Sequence, residues 1–316
     1  QKPSTHSKRI INNILKKDLS FSGLVITDAM EMGALSSNIS NDESVIRTVE
    51  AGSDILLLPI DAISSIDAIK NAVLNGRIDE SRIDQSVSKI LKLKENAGLF
   101  NNEGFPSWTN IEQFIGSSKH KNIAKKITAE SITLVKDDRK IVPVKPEKIN
   151  KLCHIILSVD DNAKDYLKNF SRDINRTVDN TTEIFINYEL DDYLIKKTID
   201  KAINSDIIIV SSLVRIRMDK GVSTIAPSHL RFLKQLKEKT KKPILMVSFG
   251  SPYINSYDYF DSYLATYGYG PVSVKAAADA IFGREDISGK LPIDLNEKYQ
   301  KGTGINRTKR ISEFKK

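Results

Sequence analysis

Apolar positions along the chain switch repeatedly between two spacings, short continuous runs and helical stripes, and the alternation divides it into two regions. In the first, Ile10, Ile11, Ile14 and Leu15 recur at helical spacing within residues 7–19. The apolar run Leu24-Val25-Ile26 then has the length and content of a buried strand and stops at Thr27-Asp28. Val45, Ile46 and Val49 form a helix stripe that ends at Ala51-Gly52. A second strand over 54–58 is stopped by Pro59. Ile66, Ile69 and Val73 make a helix closed by Asn75-Gly76, a good C-terminal cap. Ile83, Val87, Ile90 and Leu91 make another, capped by Asp79 or Ser81 and ended near Gly98. Two strand–helix units of this kind are material for a parallel sheet.

Residues 100–118, with Asn101-Asn102, Gly104, Pro106, Trp108 and Gly116, carry no clean period and read as an interdomain linker. Strand runs then appear at 132–135, 153–159, 183–188, 206–211, 243–248 and 262–267, and helical patterns at 163–169, 194–204, 228–239 and 272–282 separate most of them. This alternation predicts a doubly wound α/β/α sandwich. The predicted domains are therefore 1–99, a linker at 100–118, and a sandwich at 119–316.

Composition narrows the class. Of 316 residues, 40% are hydrophobic and 28% charged, as in globular domains with real cores. No apolar run approaches the roughly 18 residues a membrane span needs. The formal net charge of +8 comes from lysines spread over helices and loops, with no basic stripe interleaved with aromatics, so nucleic acid is not an expected partner. A single cysteine, Cys153, in an apolar stretch excludes a disulfide framework and reads as a buried, inert thiol. His6, His120, His154 and His229 lack metal-ligand spacing with one another or with acids, so neither a metal nor a cofactor is expected. Gly268-Tyr269-Gly270 does not make a dinucleotide fingerprint.

Asp28 is the candidate with chemistry. A carboxylate at the carboxyl end of a strand stands where (β/α) proteins keep their reactive groups. The same placement also suits a helix cap or a loop residue. The surrounding segment, Phe21-Ser-Gly-Leu-Val-Ile-Thr-Asp28-Ala-Met-Glu-Met-Gly-Ala-Leu35, closely resembles the nucleophile motif of glycoside hydrolase family 3. Further matches span nearly the whole chain: Pro3-Ser-Thr5, Glu50-Ala-Gly-Ser-Asp54, Leu57-Leu-Pro59, Gly76-Arg-Ile78, Arg82-Ile-Asp84, Gly98-Leu-Phe100, residues 130–135, 247–253, and Ser288-Gly-Lys-Leu-Pro292.

The resemblance implies the last two strand–helix units of a (β/α)8-type barrel followed by the family's sandwich domain. A barrel closes with eight strands, so the chain reads as the C-terminal half of a longer enzyme. The missing N-terminal barrel portion is then its partner, and the isolated piece is expected to have little activity. Gln1 opens the sequence without a signal-peptide pattern, which fits a processed or incomplete chain. Compartment stays open between cytoplasm and cell envelope.

The implied chemistry is retaining hydrolysis of a carbohydrate, with Asp28 as nucleophile, Thr27 helping to orient it, and a second group protonating the leaving oxygen. Family β-glucosidases place a glutamate for that purpose on a sandwich-domain loop. The corresponding stretch here, 211–224, holds no Glu, and Asp219 is its only acid. Family β-N-acetylhexosaminidases instead use a His-containing loop on an earlier barrel strand, which would lie upstream of Gln1. The expectation is therefore a β-N-acetylhexosaminidase acting on cell-wall glycans. A β-glucosidase or β-xylosidase, and a non-catalytic remnant that binds a glycan or partner, are the alternatives. Met32 matches a methionine lining the sugar pocket in the hexosaminidase branch; core packing after the strand accounts for it equally. Arg215 and Arg217 read either as solvated or as reaching toward an anionic substrate, and Tyr253, Tyr267 and Tyr269 as sandwich core or rim.

Overall fold

The computed structural model describes residues 3–310 apart from 33–34, 36–38, 102–110, 112, 188 and 217–223. Trp108, Arg217 and Asp219 lie outside the described residues. Two compact units divide the chain, Gln1–Gln113 and Phe114–Lys316.

In the first unit, α1 (Arg9–Asp18) is wound more widely than an α-helix, the Leu19 N–H donating five residues back to Ile14 O (2.9 Å). The wider winding displaces the stripe expected at α-helical spacing: Ile11 is buried, while Ile10 and Ile14 are exposed. Strand β1 (Ile26–Ala29) is followed by α2 (Asn41–Ala51), β2 (Ile55–Leu57), α3 (Ala62–Leu74) and α4 (Glu80–Asn96). The two strands pair in parallel, Ile26 opposite Ile55 and Ala29 opposite Leu57.

Local chemistry sets the helix limits. Ser40 Oγ accepts the Glu43 N–H (3.2 Å) and Asp61 Oδ1 accepts the Ser64 N–H (2.7 Å), each satisfying a donor of a first helical turn. Gly52 ends α2 at φ 115°, and a Cβ there would collide with Asn12 Oδ1.

Two small clusters pack this unit. Met30, Leu35, Val45 and Ala68 form one, and Val49, Ala72 and Ile78 the other. The buried face of α3 runs through Ser65, Ala68 and Ala72, where small side chains let neighbouring elements approach. Ile66, placed on the core stripe by its spacing, is instead exposed, as are Val87 and Leu91 of α4. β1 also departs from the expected buried run at Leu24-Val25-Ile26. The ladder with β2 starts two residues later, and Ile26 is 55% exposed because one neighbouring strand covers little of it.

The second unit begins with α5 (Ser118–Ser131), which the periodicity did not predict, and continues β3 (Thr133–Asp137), β4 (Leu152–Leu157), α6 (Ala163–Thr177) and β5 (Thr181–Ile186). Then follow α7 (Asp192–Ala202), β6 (Ile207–Val214), α8 (Pro227–Lys239), β7 (Ile244–Gly250), β8 (Ser262–Ala265) and α9 (Pro271–Ile281). The six strands form one sheet in the order β3-β8-β7-β6-β4-β5, parallel except for β3, which pairs antiparallel with β8. All six predicted runs are strands in this sheet.

Both faces of the sheet are buried. Ile207, Ile209 and Leu213 of β6 point into a cluster with Leu167, Phe170 and Ile174 of α6 and Val274, Ala278 and Ile281 of α9. Ile208, Val210 and Val214, one residue out of phase, point into the opposite cluster with Ile195 and Ile199 of α7 and Phe232, Leu233 and Leu236 of α8. Burial on both faces explains why these strands read as continuous apolar runs.

Cys153 lies in β4 with no exposed surface, and burial pushes its thiol up to about 12. The thiolate is the reactive form, so the folded chain is expected to resist a disulfide-exchange reagent at pH 8. One equivalent should react once guanidinium unfolds it, and rapid labelling of the native chain would contradict this burial.

Candidate active site

Asp28 is the third residue of β1. It thus lies inside the strand, one residue before its last, whereas the apolar run at 24–26 places it just past the strand's end. Its carboxylate is exposed, and Oδ1 accepts the Ala29 N–H at 2.8 Å. The strand below it is fixed by Thr27: the buried hydroxyl accepts the Leu57 N–H (2.9 Å), and the Met30 N–H donates to Leu57 O (2.9 Å). Thr27 therefore locks β1 to β2, and any hold on Asp28 is exerted through the backbone.

The two methionines after the strand divide their work. Met30 is 2% exposed and belongs to the core with Leu35, whereas Met32 is 37% exposed in the turn that follows. Core packing thus falls to Met30, leaving Met32 on the same surface segment as Asp28.

At the opposite, amino-terminal end of the strand pair lies a buried acid whose importance the periodicity does not reveal. Asp54 Oδ2 accepts the Val25 N–H (3.0 Å), and Oδ1 accepts the Ser86 hydroxyl (2.6 Å). Arg82 and Lys89 each stand 3.5 Å from its oxygens. Arg82 also donates to Ser86 Oγ (2.6 Å) and Ser53 O (2.7 Å), and Lys16 Nζ to Gly52 O (2.6 Å). Burial by itself would raise the Asp54 carboxyl. The Ser86 and Val25 donors, with the charges of Lys89 and Lys16, outweigh it and hold the group below its ordinary value. Asp54 so ties α4 and the segment before β2 to the chain entering β1.

In the second unit, Arg215 is engaged: it pairs with Asp160 (3.0 Å) and lies over the rings of Tyr166 and Tyr269. Tyr253, Tyr267 and Tyr269 are half-buried, at the rim of the sheet. His154 is fully buried in β4, with Nε2 2.8 Å from Ser211 Oγ, a core histidine with its hydrogen bond made. His229 is buried at the start of α8, His6 Nε2 lies 3.1 Å from Ser44 Oγ, and His120 sits in the first turn of α5. A cavity of about 370 Å3 opens at the carboxyl ends of β4 and β6, lined by Ser158, Asp160, Glu189, Arg215 and Thr224 among others. β5 and β6 flank β4, so the sheet reverses its direction of winding there, which is where open α/β sheets hold ligands. Only the strand order reveals that position.

Residues 1–93 match the glycosyl hydrolase family 3 N terminal domain. Over those residues the chain is thus identified with glycoside hydrolase family 3. Similarity to curated glycosidases extends over most of the sequence. It is 23% identical over 319 aligned residues to a beta-N-acetylglucosaminidase/beta-glucosidase of Cellulomonas fimi, covering 92% of this chain and 53% of that protein. It is 24% identical to beta-hexosaminidase A of Pseudoalteromonas piscicida, covering 93% of this chain and 53% of that one. The chain thus spans about half the length of these curated relatives. Among solved structures, a family 3 beta-N-acetylglucosaminidase from Paenibacillus sp. str. FPU-7 superposes with a TM-score of 0.76 at 22% identity, over 93% of this chain and 55% of that one. At that identity, the superposition establishes a shared fold.

Proposed function

We propose that this chain carries the nucleophile of a retaining β-N-acetylhexosaminidase that acts on GlcNAc-containing cell-wall glycans. In this reading, β1 and β2 with their helices are the last two units of a (β/α)8-type barrel over residues 1–99. Residues 100–118 are the linker, and 119–316 form the doubly wound α/β/α sandwich domain. The observation that carries the proposal is the Asp28 carboxylate, exposed at the end of a strand locked to its neighbour within Thr27-Asp-Ala-Met-Glu-Met32.

One Asp28 oxygen attacks the anomeric carbon as the bond to the leaving oxygen breaks, while an acid elsewhere in the complete enzyme protonates that oxygen. Water, deprotonated by the same group, then displaces Asp28 and returns the sugar with its configuration retained. Met32 lies on the exposed turn after Asp28, where it packs against the sugar.

A second reading, a β-glucosidase, has support in the double name of the Cellulomonas fimi relative. Assay of the complete enzyme with p-nitrophenyl glycosides decides between them. The hexosaminidase reading expects kcat/KM for the GlcNAc glycoside to exceed that for the glucoside by about tenfold or more, the scale of one good pocket contact. A preference for glucoside would overturn it in favour of the second.

A further inference from the structure

We infer that the outer face of α6 is a docking surface for an acidic glycan strand. Lys164, Lys168, Arg172 and Arg176 recur at every fourth residue, so α6 sets four cations along one face with a rise of about 6 Å between them. All four are exposed, and among the described residues none makes a close ion pair, although the Lys164 charge reaches Glu183. Elsewhere in the same unit Arg215, Lys237, Arg284 and Arg307 each hold a carboxylate. Like charges four apart on a helix repel one another, and this face repeats the repulsion three times in succession. An anionic ligand laid along it would turn that repulsion into attraction.

The groove beside this row, about 520 Å3, selects the kind of anion. Asn175 adds an amide to its lining, and Asp165 and Glu183 add carboxylates. Glu183 comes from β5, the edge strand, and its Oε2 lies 3.5 Å from His154 Nδ1, which with the Ser171 hydroxyl holds it ionised down to about 2. A ligand whose charged backbone carries no free hydroxyls to donate, such as a DNA strand, meets those two carboxylates as repulsion. It also finds no ring to stack on among the lining residues, since Tyr166 of the same helix is turned to Arg215 and Tyr269. A glycan with carboxylates spaced along a hydroxyl-bearing backbone suits both sets of groups: its anions meet the lysines and arginines, and its hydroxyls donate to Asp165 and Glu183. The inference stands on the second unit alone and does not depend on the role of Asp28.

The test is fluorescence anisotropy of the full chain with a labelled oligogalacturonate, beside a neutral chitin oligomer, an oligo-dT strand and polyglutamate. Oligogalacturonate is expected to bind most tightly and to weaken as salt rises. Arg172→Glu with Arg176→Glu should reduce its affinity by about tenfold or more with an unchanged melting temperature. Lys234→Glu with Lys239→Glu, the same charge change on exposed positions of α8, should leave affinity within about twofold. Should the arginine reversal disturb folding, Lys164→Gln with Lys168→Gln reads out the same face. Absence of oligogalacturonate binding, equal losses at α6 and α8, or tighter binding of oligo-dT or polyglutamate would each overturn the proposal.

Discussion

Replacing Asp28 by asparagine is expected to lower kcat of the complete enzyme by roughly a thousandfold or more while its melting temperature stays within a degree or two. The two halves of this expectation have separate physical origins. The side chain is exposed and makes one described hydrogen bond, accepting the Ala29 N–H, which an asparagine carbonyl oxygen accepts as well. Nothing in the packing of β1 therefore responds to the change, because Thr27 and Met30, not Asp28, join the strand to β2 and the core. In the proposed mechanism the chemistry responds fully: a neutral amide cannot form the glycosyl ester on which retaining hydrolysis depends. A slow fluorinated glycoside gives a second reading of the same residue. In the unsubstituted enzyme it should leave a glycosyl mass on the peptide containing Asp28, and in the asparagine variant no such mass. Full turnover by the variant would remove Asp28 from the mechanism and favour the binding remnant or another nucleophile.

The sheet of the second unit was legible in the sequence because burial on both faces leaves apolar runs such as those at 207–210 and 244–247, whose identity survives small errors at the ends. The first unit was less legible for the converse reason. Its two strands have short ladders and partly exposed faces, so the apolar run at 24–26 marks the approach to β1 and the pairing itself reaches to Ala29. α5 escaped notice because none of its residues is buried: Ile123 and Ile127 are exposed among lysines, leaving no apolar stripe for periodicity to register. Its cap was readable, Ser117 Oγ accepting the His120 N–H, but a cap without a stripe predicts little. Asp28 stood out as a candidate through its motif, whereas Asp54, although it closes the Glu50-Ala-Gly-Ser-Asp54 match, gave no sign of the network it holds. Its partners Lys16, Val25, Ser86 and Lys89 lie about thirty or more residues away on either side, and no local pattern connects them.

Asp54 thus joins segments of the first unit that are far apart in sequence. Asp54→Ala is expected to destabilise that unit by about 3–5 kcal/mol, because it leaves the Val25 N–H, the Ser86 hydroxyl and the charges of Arg82 and Lys89 without their common acceptor. Ser86→Ala removes one donor while the others persist, and should lose about 1–2 kcal/mol. Hydrogen exchange of the full chain separates this from any effect on the second unit. Peptides covering β1 and β2 should lose protection in the alanine variant, while those covering β4 and β6 keep it. The same carboxyl gives the unit a pH dependence of definite sign. Its folded value lies below the unfolded one, near 4, so the stability it contributes is fully present above about pH 4. That stability is lost as the pH falls through the folded value, where the proton binds and the donors lose a charged acceptor. In the alanine variant this part of the acid sensitivity should vanish, so the two proteins should converge in stability at low pH and diverge toward neutrality. Parallel stability profiles across that range would show that the Asp54 charge contributes nothing beyond the shape of its side chain.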